Sequence, residues 1–254
     1  MGLDLADYEL RAQAAVRHFW QARAQALASK MERGTTDQGN RAAVTAGTGM
    51  GGFEALIQAV VEANGLPPAA VFRTRAHTSL PGFYRMGKSW DVVVVHQGQL
   101  VAAIECKSQI GSIGNNANNR LEEALGAATD FWKAWQEGAF GASYRPLLGY
   151  LLLLEDSPQT RQGRAKPFRL PHFAALDEFQ HTSYADRYDL FCRKVMQSGL
   201  YGVASVLLTN QNASEQGLYG EVSVASGLQQ FVALLAGHIA TVAALPPATP
   251  PTET

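Results

Sequence analysis

The chain of 254 residues is short of cysteine: it has two, Cys106 and Cys192, too few for the disulfide framework of a small secreted fold. A reducing, cytoplasmic setting is therefore expected. Charge imbalance is equally lacking, since 21 Lys and Arg stand against 22 Asp and Glu, a net of −1. Bulk basicity thus offers no argument for a nucleic-acid partner, and bulk acidity none for a disordered chain. The N-terminus, MGLDLADYELRAQ, is acidic and has no continuous apolar core, so no signal peptide is expected. Charged residues vanish between Glu221 and Glu253, where a membrane span is the question to ask. That run still carries Ser226, Gln229, Gln230, His238 and Thr241. Leu228, Phe231, Leu235, Ile239 and Val242 recur at steps of three and four, which reads as an amphipathic helix packed on a core or a partner, not a span.

What is present is apolar content, 46% of the chain, enough to bury a sizeable core. Leu5, Tyr8, Ala12, Val16 and Phe19 make one helical stripe, and Phe53, Leu56, Ile57, Val60 and Val61 another, with a polar, Gly-containing stretch from Gly34 to Gly52 between them. Val71 to Thr78 and Trp90 to Lys107 are rich in β-branched residues and read as strands. Asn118 or Asn119 is placed to cap a helix from about Arg120 to Glu137. Leu147 to Leu154 and Val203 to Thr209 are continuous apolar runs, the signature of buried strands. Gln159 to His172 reads as a loop, and Ser183 with Asp186 as a capping box opening a helix through about Gln197. The order α, α, β, β, β, α, β, α, β, α predicts an α/β fold with a mixed central β-sheet flanked by helices. At roughly 150 residues per domain, 254 residues fit one large domain or a domain with an appended subdomain, and the order of elements points to a single domain over residues 1–245. The Pro/Thr-rich PPATPPTET, residues 246–254, is expected to be a disordered tail.

The stretch that carries chemistry is WDVVVVHQGQLVAAIECKSQIG, Trp90 to Gly111. Two apolar strands flank Gln97-Gly98-Gln99, a plausible hairpin turn. Glu105 and Lys107 lie two apart and share a face. A turn centred on Gly98 would set Asp91 opposite Glu105, with β-carbons roughly 4.5–5.5 Å apart; a shifted turn would break this. Two carboxylates at that spacing repel unless a cation sits between them. Mg²⁺ suits them, being a hard ion that takes one or two carboxylates together with substrate phosphate oxygens. Lys107 beside it would orient a water and stabilise charge building on a phosphate. An acid-x-Lys tripeptide arises readily by chance, and the plainer reading is an ion pair at a strand end.

Asp91 with Glu105-x-Lys107, in this order of elements, resembles the PD-(D/E)xK nuclease superfamily. Within it, LPGFYR (Leu80 to Arg85), WDVVVV (Trp90 to Val95), IECKSQIG (Ile104 to Gly111), GNNANNRLEEALG (Gly114 to Gly126), LGYLLLLED (Leu148 to Asp156) and SYADRYDLFCRK (Ser183 to Lys194) resemble the XhoI-type restriction endonucleases. The likeness runs from about Leu3 to Leu208. It implies a PD-(D/E)xK restriction-endonuclease-like fold and a homodimeric, Mg²⁺-dependent type II enzyme cutting double-stranded DNA inside the palindrome CTCGAG, paired with a protective methyltransferase. By the same likeness Asp91 and Glu105 are the metal-ligand acids, Lys107 is the catalytic lysine, and Cys106 offers its backbone carbonyl to the metal. Trp90 stands where the superfamily often has Pro. Glu54, in the Phe53 helix, is the candidate for a further metal-ligand acid; its plainer role is to complement a helix N-terminus. A repair or structure-selective nuclease on the same scaffold, and a non-catalytic DNA-binding protein, remain alternatives.

Asn115, Asn116, Asn118, Asn119 and Arg120 follow the candidate catalytic strand. Asn pairs with adenine edges and Arg with guanine, so these are candidate DNA contacts as well as a polar turn and cap. Arg161, Arg164, Lys166, Arg169 and His172 fall in an acid-free stretch, Ser157 to His172, that would supply local phosphate attraction or simply be a solvated loop. Arg73, Arg75, Arg85 and Lys88 precede Asp91 and cannot be ranked from sequence.

Overall fold

A computed structural model of the chain describes residues 2–32, 47–141, 144–164, 166 and 169–246. The expected tail, apart from Pro246, and most of the polar stretch after Gly34 lie outside these residues. In chain order the elements are α1 (Tyr8–Glu32), α2 (Gly51–Ala63), β1 (Val71–Phe72), β2 (Ser79–Pro81), β3 (Gly87–Ser89), β4 (Val92–His96), β5 (Gln99–Gln109), α3 (Ile113–Gln136), β6 (Leu147–Glu155), α4 (Pro158–Arg161), α5 (Tyr184–Gln197), β7 (Val203–Thr209), β8 (Gly220–Glu221) and α6 (Leu228–Ala244), with short 3₁₀ turns between them.

Six strands form one sheet in the order β1-β4-β5-β6-β7-β8, and β2 pairs with β3 apart from it. The centre of the sheet, β5-β6-β7, is parallel, and both flanks are antiparallel, so the sheet is mixed. Parallel strands are covered on both faces, which is why β6 reads as an unbroken apolar run instead of an alternation. One face, through Val92, Val94, Ile104, Leu151, Leu153, Val203 and Leu207, packs on α1, α2 and α6. The other, through Val93, Ala103, Tyr150, Leu152, Ala204 and Val206, packs on α3 and α5. The result is a three-layered α/β/α arrangement consistent with a restriction-endonuclease-like fold.

The uncharged helix α6 buries Leu228, Phe231, Leu235, Ile239 and Val242 against the first face, as its stripe predicts. No helix among the described residues is long and apolar enough to cross a membrane. The Ser183–Asp186 capping box is formed in both directions, Ser183 N donating to Asp186 Oδ2 (2.8 Å) and Asp186 N to Ser183 Oγ (3.1 Å).

Elsewhere the chain departs from expectation. The strand expected over Val71 to Thr78 is two residues long, and the segment after it makes the small β2–β3 hairpin instead. Helix α3 begins near Ile113, well before Arg120, behind Gly111 and Ser112, both with positive φ (71° and 47°). Glu155 Oε2 holds this turn by accepting from Gly111 N (2.8 Å). Asn118 and Asn119 therefore lie inside the first turns of α3, whose N-cap is Ser112; Asn116 Nδ2 donates to Ser112 O (3.1 Å).

Candidate active site

The β4–β5 hairpin builds the site, but by a different turn from the one expected. Its loop is the two-residue Gln97-Gly98, both at positive φ (53° and 76°), the backbone of a tight hairpin turn in which glycine carries the second position without strain. That turn alone would set Asp91 against Ile104. Between Val94 and Val95 the register shifts: Val95 pairs with Leu100 and Val94 with Ala102, leaving Val101 as an extra residue on β5. The bulge moves the pairing on by one, so Val92 pairs with Ile104. Asp91, next in line, straddles Glu105: its amide donates to Ile104 O (3.1 Å) and its Oδ2 accepts from Cys106 N (2.7 Å).

Glu105 is only 4% exposed, and its Oε1 carries two ammonium groups. Lys107 Nζ lies 2.7 Å away, from two residues along the same face, and Lys88 Nζ 2.9 Å away, from β3. Lys88 also sits 4.5 Å above the ring of buried Trp90. Burial alone would push the Glu105 carboxyl up, but Lys107 and then Lys88 outweigh it and hold it below the ordinary carboxylate value. The converse holds for Lys107, where burial opposes the charge yet Glu105 and Asp91 keep its ammonium above the usual range. Asp91 is pushed up, first by burial and also by Glu105, against the relief given by Lys107 and the Cys106 amide.

Glu54, in the first turn of α2, is raised by burial and by the nearby Asp91 charge, while Arg73 at 3.6 Å draws it the other way. Arg73 is further tied to Gln58 Oε1 (3.0 Å) and Gly51 O (2.9 Å). The three acids thus share a neighbourhood. Among the described residues, however, no three of His, Cys, Asp and Glu are drawn close enough to hold a metal ion as they stand. Each carboxylate is braced by a neighbour of its own: Asp91 by an amide, Glu105 by two lysines, Glu54 by Arg73. The donor set still fits a hard divalent cation. The hydrogen bonds described reach Oδ2 of Asp91 and Oε1 of Glu105, and the second oxygen of each is the one a cation would take. Cys106 meets Asp91 through its backbone amide; its thiol is buried with Ile104 on the α2 side, and burial raises it well above the ordinary value.

Of the four cations unranked in sequence, Lys88 enters the site. Arg85 is instead bound, with the amides of Phe83 and Tyr84, by Asp130 of α3, at 2.8, 2.9 and 2.8 Å. Arg75 is exposed. Among the DNA-contact candidates, Asn118 and Asn119 are exposed on α3, and Arg120 lies close enough to Lys107 to act on its charge while pairing with Glu123 (2.9 Å). Arg161 is engaged twice by Asp156 (2.7 and 3.1 Å), the Arg164 carbonyl meets His181 Nδ1 (3.1 Å), and Lys166 is exposed. Sequence reasoning had no means to single out Gln109, buried two residues beyond Lys107, with Nε2 on Gly111 O (2.8 Å) and a buried Oε1 left without a partner.

The mixed sheet, its helical layers and the acid-and-lysine cluster at the β4–β5 hairpin define a restriction-endonuclease-like protein. The family model described as Restriction endonuclease XhoI matches residues 29–221, and the chain belongs to that family. It is 43% identical over 217 residues to the type II restriction enzyme BstVI of Geobacillus stearothermophilus, covering 82% of this chain and 95% of that protein. It is 48% identical over 174 residues to the type II restriction enzyme AbrI of Azospirillum brasilense, covering 68% and 77%. With the type II restriction enzyme XhoI of Xanthomonas vasicola it shares 43% identity over 201 residues, 78% of this chain and 79% of that one. No solved structure matches the chain. The enzyme reading, a type II restriction endonuclease, is the one this family bears out.

Proposed function

We propose that the chain is a homodimeric type II restriction endonuclease that hydrolyses phosphodiester bonds of double-stranded DNA at a palindrome, CTCGAG, with Mg²⁺ as cofactor. The observation that carries this is the meeting of Asp91, Glu105 and Lys107 at one end of the β4–β5 hairpin, with Lys107 Nζ 2.7 Å from Glu105. Asp91 and Glu105 would hold the cation with the Cys106 carbonyl, and Glu54 would complete the acids. Magnesium bound there supplies Lewis acidity and a nucleophilic water at neutral pH. Glu105, kept ionised by its lysines, presents a full negative charge to the cation. Asp91 is oriented by the Cys106 amide, so its remaining oxygen has one direction to face. Lys107 holds its ammonium where negative charge builds on the attacked phosphate.

Asn115, Asn116, Asn118, Asn119 and Arg120, at the start of α3, are the candidate base and backbone contacts, and Arg161, Arg164 and Lys166 the candidate phosphate contacts. A palindrome presents two equivalent half-sites, which a two-fold dimer matches. A methyltransferase guarding the same sequence, and a cytoplasmic site of action, complete the reading.

The test is a digest of a sequenced plasmid containing CTCGAG by the purified full chain with Mg²⁺, the fragment ends being read out. Discrete fragments with ends inside the palindrome are expected, and Asp91→Ala and Lys107→Ala should abolish cutting while leaving DNA binding in place. Cutting by Asp91→Ala at the unmodified rate would overturn the mechanism.

A further inference from the structure

We infer that Lys88 makes cation binding at this site depend on DNA: with its ammonium on Glu105 the cluster is already neutral, so a divalent ion is held weakly until a phosphate joins it. The inference rests on the reading of Asp91 and Glu105 as cation ligands. Its basis is a charge count over a buried site. Asp91 and Glu105 bring two negative charges, and Lys88 and Lys107, both on Oε1 of Glu105, bring two positive ones. Glu54 is met by its own cation, Arg73. A divalent ion therefore adds two uncompensated positive charges where Glu105 is 4% exposed and water screens poorly. A phosphodiester reduces that excess, so ion and DNA strengthen each other by the same factor.

Lys88 is the lever, not Lys107, because of where each is anchored. Lys107 rises from the same strand as its partner, next but one to it. Lys88 arrives from β3, in a two-stranded hairpin outside the main sheet, and rests on Trp90 at 4.5 Å. It is a second cation on an oxygen that Lys107 already serves, so it adds to the pull that keeps Glu105 ionised and decides the net charge of the cluster. A neutral residue at position 88 leaves one uncompensated negative charge and a better cation site without DNA.

The experiment is calorimetric titration of Ca²⁺ into the DNA-free full-length protein, repeated with a short CTCGAG duplex bound. Lys88→Met and Lys88→Gln are expected to bind Ca²⁺ about five-fold tighter or more without DNA, and to show a smaller gain when the duplex is added. Lys88→Arg, which keeps the charge, should stay near the unmodified protein. Damage to the fold would weaken Ca²⁺ binding, so it cannot imitate a gain. Unchanged or weaker binding by both neutral variants overturns the inference. Asp91→Asn and Glu105→Gln are measured alongside: if neither weakens Ca²⁺ binding, the ligand reading itself fails, whereas if both do and the Lys88 variants gain nothing, only the role of Lys88 is lost.

Discussion

His238 Nε2 donates to the carbonyl of Val101 over 3.0 Å. Val101 is the extra residue that moves the β4–β5 pairing on by one, so helix α6, far from the acids in sequence, grips the bulge that brings Asp91 and Glu105 together. Burial, the largest influence, lowers the proton affinity of His238, against the Val101 hydrogen bond. The folded chain therefore favours the neutral ring. This contribution to stability is present above the unfolded value, near 6.5, and is lost as pH falls through the lower folded one.

His238→Ala should cost about 1–3 kcal/mol by leaving the Val101 carbonyl unpaired, and should slow cutting by loosening the register. His238→Gln should remove the part of the acid-side loss of stability that belongs to the ring. Urea unfolding at about pH 8 and about pH 5 checks both. An acid-side loss as large in His238→Gln as in the unmodified chain would show that the ring does not titrate this way.

Asp130→Ala should loosen the β2–β3 hairpin. The buried carboxylate accepts from Phe83 N, Tyr84 N and Arg85 Nε; burial would raise it, but these donors hold it below the ordinary carboxylate value. Gly82 is enforced there too, since a Cβ would stand 2.7 Å from Asp130 Oδ2 and 2.6 Å from Arg85 O. A loss of about 1.5–3 kcal/mol is expected in urea unfolding. Cutting should fall with it because β3 delivers Lys88, although no acid of the site has been touched. Full stability in Asp130→Ala would count against this account.

Lys166→Ala and Arg161→Ala should part company in a salt titration of DNA binding. Lys166 is exposed, whereas the Arg161 guanidinium is held twice by Asp156. Removing a phosphate-contacting Lys166 should flatten the slope of log affinity on log salt by about 0.9. Arg161→Ala should flatten that slope by less, because Asp156 already offsets part of its charge, and cost at most about 1 kcal/mol of stability, its side chain being well exposed. Equal slopes for Lys166→Ala and the unmodified protein would remove Lys166 from the interface.

Much of the layering was legible because burial writes itself into the pattern: the oily run of β6, the stripe of α6, and the Ser183–Asp186 box. The facing of Asp91 and Glu105 was also expected, but by a turn the chain does not make; a two-residue turn followed by a bulge arrives at the same opposition. A bulge has no sequence mark in LVAAI, where every residue is apolar and small shifts leave the pattern unchanged. Lys88 could not be ranked because strands of three residues, β2 and β3, are too short to show a period. The start of α3 was misplaced because Asn is a good cap, while the actual start depends on the left-handed Gly111-Ser112 turn and on Glu155, a residue 44 positions away.

The outermost strands, β1 and β8, are two residues long each. So brief a rim offers almost no free ladder for another chain to extend, which protects the molecule from stacking edge to edge. In the homodimer proposed above, the same brevity would leave the contact between copies to helices or loops, with each sheet whole and each cutting centre supported by its own protomer.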